Sequence, residues 1–122
     1  MAKILIVDDS LIVRMNLRKI LTESGHEVVA EASNGEEACQ KYAETKPELV
    51  TLDITMPKMD GIEALSTICQ EDKKANVIMI SALGQEAKIL EALDKGAKQY
   101  IIKPFKNHEV LEKIDTVLKD IV

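Results

Sequence analysis

The 122-residue sequence predicts an α/β fold, a parallel five-stranded sheet sandwiched between two layers of helices. Three observations carry that prediction. Short apolar runs, four or five residues long, recur along the chain and end in polar residues. Between them lie longer segments whose apolar residues recur at helical spacing. The strand-like runs are nearly continuous in Val, Ile and Leu, as expected of strands covered on both faces.

The first strand is Lys3–Val7, ending at Asp8–Asp9–Ser10. Ser10 is a candidate N-cap for a helix that places Val13, Leu17, Ile20 and Leu21 on one face, and Gly25 closes it. Glu27–Ala32 is a second, less apolar strand. Asn34 and Glu37 have the spacing of a capping box, with Glu37 reaching back. The helix behind them buries Ala38, Tyr42 and Cys39, and Lys46–Pro47 ends it.

Leu49–Asp53 is the third strand, an apolar run delivered into a single carboxylate. Asp60–Gly61–Ile62–Glu63 repeats the capping pattern ahead of a helix with Ile62, Leu65, Ile68 and Cys69 inward. After the polar connection 73–76, Val77–Ile80 forms the fourth strand and ends at Ser81. The segment Gln85–Lys95 is helical, with a thin apolar face of Ala87, Leu90 and Leu93, and Gly96 stops it. Tyr100–Ile102 is the fifth strand, followed by Lys103–Pro104–Phe105. Asn107 is placed to cap the last helix, whose apolar face is Val110, Leu111, Ile114, Val117, Leu118 and Ile121. A single domain over residues 1–122 is expected, with no repeat or linker.

Composition narrows the function classes. Hydrophobic residues make up 46% of the chain, enough for a core, and the net charge of −5 argues against a nucleic-acid surface. Aromatic residues make up 2%, with no Trp, so no base-stacking platform is expected. Cys39 and Cys69 are expected to be reduced thiols, since two cysteines beside an apolar core do not make a disulfide scaffold. The strand-like start after Met1–Ala2 and the lack of a long apolar run lead to the expectation of a cytoplasmic protein with no membrane segment. His26 and His108 are expected at the solvated surface, and the methionines as gap-fillers in the core.

Right-handed crossovers restrict the topology, and the common order for five βα units is 2-1-3-4-5. In that order, the carboxyl ends of four strands bring Asp8, Asp9, Asp53, Ser81 and Lys103 to one rim, where open α/β sheets hold ligands. Three carboxylates in one cleft repel one another, and a divalent cation relieves the conflict. Oxygen ligands favour Mg²⁺, Mn²⁺ or Ca²⁺ over zinc. Lys103 offers a positive charge and Ser81 a hydroxyl to a transferring phosphoryl group. Asp53 is the candidate nucleophile, which gives an aspartyl phosphate.

These residues resemble the receiver domain of two-component response regulators, over essentially the whole chain. The stretches Asp53–Gly61, Ser81–Gln85, Gly96–Lys98 and Lys103–Phe105 are similar to the stand-alone chemotaxis members. The resemblance implies a flavodoxin-like (βα)₅ fold and a phosphorylation-activated switch that is not an enzyme in the ordinary sense but promotes its own phosphorylation and dephosphorylation. It implies Asp53 as the phosphoacceptor. Asp9 would ligate Mg²⁺ directly, Asp8 largely through water, and the Thr55 carbonyl would complete the protein ligands with Asp53. Lys103 and the Ala82 backbone would contact the phosphate, and Ser81 would move toward it while Tyr100 swings inward. Thr55 and Leu83 would tune dephosphorylation. A cis Lys103–Pro104 bond is implied. So are a histidine kinase as phosphodonor and an output face on the fourth helix, fifth strand and fifth helix, for a target such as the flagellar motor switch. A monomer is expected.

Ser10–Val13 stands where chemotaxis members carry small and aromatic residues, so the alternative is the receiver of a transcriptional or sporulation regulator. An aspartyl-phosphate phosphatase of the haloacid-dehalogenase type needs a second Asp two residues after the nucleophile, where this chain has Thr55. A flavin-binding reading fails at Asp8–Asp9, which would repel a phosphate after the first strand. The chain carries neither a GxGxxG nor a P-loop motif.

Overall fold

The computed structural model describes residues 1–119. Five strands alternate with five helices: β1 (Lys3–Val7), α1 (Leu11–Glu23), β2 (Glu27–Ala32), α2 (Gly35–Thr45), β3 (Leu49–Asp53), α3 (Gly61–Glu71), β4 (Val77–Ser81), α4 (Glu86–Asp94), β5 (Gln99–Ile102) and α5 (Asn107–Lys119). The sheet is parallel in the order β2-β1-β3-β4-β5, as expected.

Alternate residues of each central strand enter two separate cores. Leu5, Val7, Val50, Leu52, Val77 and Met79 face α2, α3 and α4. Ile4, Ile6, Leu49, Ile78, Ile80 and Ile101 face α1 and α5. Burial of side chains of this size contributes about 1.5–3 kcal/mol each, so the central strands are held from both sides. Among the described residues, no helix is long and apolar enough to cross a membrane.

The helix starts follow the sequence signals with two refinements. Ser10, Asn34 and Asp60 cap α1, α2 and α3 by accepting the backbone N–H of Val13, Glu37 and Glu63. The Glu37 carboxylate reaches back one residue beyond the cap, accepting from the N–H and hydroxyl of Ser33 at 2.8 and 2.7 Å. Asn107 is already the first residue of α5. The preceding Lys106 holds the start instead: its carbonyl accepts from Glu109 and Val110, and its N–H donates to the Glu109 side chain.

Helix α4 corrects the expected face. Ile89 and Ala92 are buried with Leu93 beside them, whereas Ala87 and Leu90 are exposed, Leu90 at 68%. A row at strict i, i+3, i+6 spacing drifts around the helix, and only Leu93 belongs to both rows. On α5, Val110, Ile114 and Val117 are buried, Leu111 and Leu118 pack at the margin, and Ile121 lies outside the described residues. Met56 and Met79 fill the core, but Met15 is 61% exposed on α1 and Met1 is exposed as well. His26 also departs from expectation. It is half-buried and its Nδ1 accepts the Ala2 N–H at 3.0 Å, and burial lowers its pKa below the ordinary histidine value. His108 is exposed.

Candidate functional site

Parallel pairing sets the strand ends in register at one edge of the sheet. Val7 lies opposite Leu52, Asp53 opposite Ile80, and Ser81 opposite Ile102. The chain continues the ladder one step past the strands, with Ile54 N–H donating to the Ile80 carbonyl (3.0 Å) and Lys103 N–H to the Ser81 carbonyl (2.7 Å). Asp8, Asp9, Asp53, Ser81 and Lys103 therefore leave the sheet at its carboxyl edge.

The three acids converge. Asp8, Asp9 and Asp53 each offer a carboxylate oxygen within 4.8 Å of the others'. Asp8 is fully buried and Asp53 is 5% exposed, while Asp9 faces solvent. Lys103 Nζ lies 2.9 Å from Asp8 Oδ2 and 3.7 Å from Asp53 Oδ2. The shorter contact is an ion pair without hydrogen-bond alignment, so Asp8 Oδ2 is buried without a donor. Burial, then the Asp8 charge, pushes the Asp53 carboxyl up to about 7. Asp9 adds to the rise, and Lys103 and the Thr55 backbone amide act against it.

This donor set fits a small divalent cation. Its members are all oxygens, one has an orphaned lone pair, and burial, followed by the Asp8 charge, disfavours a bare Asp53 carboxylate. One lysine does not neutralise three carboxylates. A divalent ion beside the lysine would bring the formal charge of the cluster to zero, so an incoming anion would meet no net repulsion.

The other expected residues lie on β4, β5 and the loops after β3 and β4. Ser81 Oγ is buried with no hydrogen-bond partner. Thr55 is exposed in the loop after β3, and its hydroxyl accepts from Gln85 Nε2 at 2.8 Å. The Ala82 N–H donates to Gln85 Oε1 at 2.7 Å. Tyr100 does not share the cleft. It lies on β5 opposite Met79, half-buried against the α2–α4 core, with Lys113 Nζ 5.3 Å from its ring centroid. The Lys103–Pro104 peptide is cis.

Two glycines fix the loop that follows Asp53. Gly61 N–H donates to the Ile54 carbonyl at 2.7 Å, and a Cβ there would overlap the Asp53 carbonyl. Gly35 N–H donates to the Met59 carbonyl at 3.0 Å, and a Cβ there would overlap that oxygen. Two further residues serve the site without having been singled out in the sequence. Arg14 Nη1 donates to the Asp8 carbonyl at 2.6 Å, and Glu31 holds its guanidinium at 3.0 Å. Gln85 bridges the loops after β3 and β4. The available signals were slight: a cation one turn into the helix behind the acidic pair, and a long amide following Gly84.

The family profile of the response regulator receiver domain matches residues 4–115. The chain belongs to the response regulator receiver family. Among curated receivers, it is 52% identical to the chemotaxis protein CheY of Listeria monocytogenes over 119 residues, covering 98% of this chain and 100% of that relative. It is 53% identical to CheY of Bacillus subtilis over 116 residues, covering 95% and 97%. Among solved receivers, it matches the CheX–CheY–BeF₃–Mg²⁺ complex from Borrelia burgdorferi with a TM-score of 0.92 and 47% identity, covering 95% of this chain and 88% of that one. A LuxR-family response regulator from Aurantimonas matches with a TM-score of 0.92 at 36% identity, covering 98% and 86%. The receiver fold read from the strand order is thus the observed one.

Proposed function

We propose that this receiver is a phosphorylation-activated switch of chemotaxis signalling, with Asp53 as its phosphoacceptor. The observation that carries the reading is the acidic triad with Lys103 on the strand ends of a receiver. Near full-length likeness to CheY proteins favours chemotaxis over a transcriptional or sporulation role. The unit is one receiver domain spanning the chain.

Asp8, Asp9, Asp53 and the Thr55 carbonyl would hold Mg²⁺, with Mn²⁺ as a substitute, Asp8 acting largely through water. The ion supplies charge neutralisation to the phosphoryl oxygens when bound. An Asp53 oxygen attacks the phosphorus of a phosphohistidine on a kinase. The new P–O bond forms as the P–N bond breaks, and the imidazole leaves and takes up a proton. Lys103 Nζ sits beside Asp53 and positions the transferred group. Ser81 Oγ has no internal partner to give up, so it is free to donate to a phosphoryl oxygen, as is the Ala82 N–H once released.

That inward step biases the output face formed by α4, β5 and α5. Tyr100 follows Ser81 inward and reports the state at that face. The protein promotes its own phosphorylation and, with water as the attacking group, its own dephosphorylation, and Thr55 and Leu83 tune that rate. It works as a cytoplasmic monomer that binds a protein target of the flagellar motor kind, and binds neither nucleic acid nor membrane. The test is direct. With Mg²⁺ and phosphoramidate, the wild type gains one phosphoryl mass and Asp53→Asn gains none, and equal labelling of the two removes Asp53 from its role.

A further inference from the structure

The side chain of Gln85 is committed at both ends to the two loops that frame the acidic cleft. Its amide oxygen takes the Ala82 N–H at 2.7 Å and its amide nitrogen donates to Thr55 Oγ1 at 2.8 Å. It makes no side-chain cap bond to its own helix, although its carbonyl opens α4 by accepting the Ile89 N–H at 3.0 Å. Gly84, at φ +87°, lets the chain fold back so that residue 85 reaches residue 82. One backbone N–H has one hydrogen to give. While Gln85 holds it, Ala82 has nothing to offer an anion on Asp53.

We propose that Gln85 is a positioning residue that locks the unphosphorylated receiver by withholding the Ala82 N–H. This rests on the reading of Asp53 as phosphoacceptor and deepens it. A phosphoryl oxygen outcompetes a neutral amide oxygen, because a charged acceptor makes the stronger hydrogen bond. The oxygen and nitrogen of the Gln85 amide share one rigid plane, so the swing that releases Ala82 also pulls Nε2 from Thr55. Both loops come free together. The disturbance is delivered to the first turn of α4, because the residue that moves is the one on which α4 starts. Gln85 thereby sets two quantities at once: the resistance of the resting protein to phosphorylation, and the coupling of the cleft to α4.

The probe is beryllium fluoride with Mg²⁺, titrated against the whole chain by ¹⁹F and ¹H–¹⁵N NMR. Gln85→Met keeps the length and volume of the side chain and removes both hydrogen bonds. It should bind the probe roughly fivefold tighter than wild type, the weight of about one net hydrogen bond. Its Ala82 amide proton should shift upfield before any probe is added, a signature that a merely structural role would not produce. Thr55→Val cuts only the far anchor and should give a smaller gain. Combined with Gln85→Met it should add nothing further, as groups in one network do. Unchanged or weaker binding by Gln85→Met, with wild type binding normally, overturns the lock and leaves the Asp53 reading intact. Equal occupancy of wild type and Asp53→Asn overturns both.

Discussion

Replacing Asp53 with asparagine should stabilise the metal-free protein, and the gain should fade as the pH falls. In the folded state the Asp53 carboxyl is raised from 3.8 to about 7 by burial and by the Asp8 charge. The folded protein therefore holds this proton more tightly than the unfolded chain between those two values, and stability falls as pH rises through that window. Each tenfold change in proton affinity weighs about 1.4 kcal/mol, so the full cost above pH 7 is about 4 kcal/mol. Water entering the cleft relieves part of the repulsion, which makes this figure a ceiling. At pH 5 about 1.5 kcal/mol of it remains by the same reckoning. Asparagine is nearly isosteric, carries no charge and removes the cost. Urea denaturation followed by far-UV circular dichroism in EDTA, at pH 8, 6.5 and 5, measures the difference. Asp53→Asn should exceed wild type by roughly 2–4 kcal/mol at pH 8 and by less than half of that at pH 5. Saturating Mg²⁺ should close the gap at pH 8, because the ion stabilises the state that binds it. A variant no more stable than wild type at pH 8, or a gain independent of pH, would refute the account of Asp53 as an uncompensated buried charge.

Lys103→Ala should leave Mg²⁺ affinity within a few-fold of wild type by calorimetry, and should uncouple phosphorylation from binding of the output target. Normal target affinity in the phosphorylated variant would contradict that role. The same substitution should cost about 1–3 kcal/mol in urea at pH 8, because it strips from Asp8 and Asp53 the ammonium that, among the described residues, is ion-paired with both. Gly61→Ala should cost more than 3 kcal/mol and abolish phosphoramidate labelling, since its methyl overlaps the Asp53 carbonyl. Tyr42→Phe, which deletes the hydroxyl donated to Asp72 at 2.8 Å, should cost about 1 kcal/mol and leave labelling unchanged.

The fold and the acidic cleft were legible because both follow from strand ends. A buried parallel strand announces itself as an apolar run, and its last polar residue marks the rim of the sheet. Strand order brings Asp8, Asp9, Asp53, Ser81 and Lys103 to one rim, and there the three acids and Lys103 are in contact range. The features that escaped depend on where long side chains fold in three dimensions. Arg14 reaches back from α1 to the Asp8 carbonyl, and no spacing rule points there. Gln85 closes a bond across two loops thirty positions apart in the chain. The inward face of α4 is not legible in the sequence because nine residues are too few for periodicity to outvote a plausible Leu, and Leu90 projects from the opposite side of the turn.

The loop between Asp53 and α3 is pinned by two bonds made entirely of main chain, Gly61 to Ile54 and Gly35 to Met59. Bonds of that kind are indifferent to which side chains lie between them. The exposed Pro57 and Lys58 side chains can be rewritten while Asp53 keeps its coordinates, whereas Met56 is held by the core and Thr55 by its bond to Gln85. Variation there leaves the backbone undisturbed, because the two glycines that clamp the segment, Gly61 at its close and Gly35 from the start of α2, hold it by main chain alone.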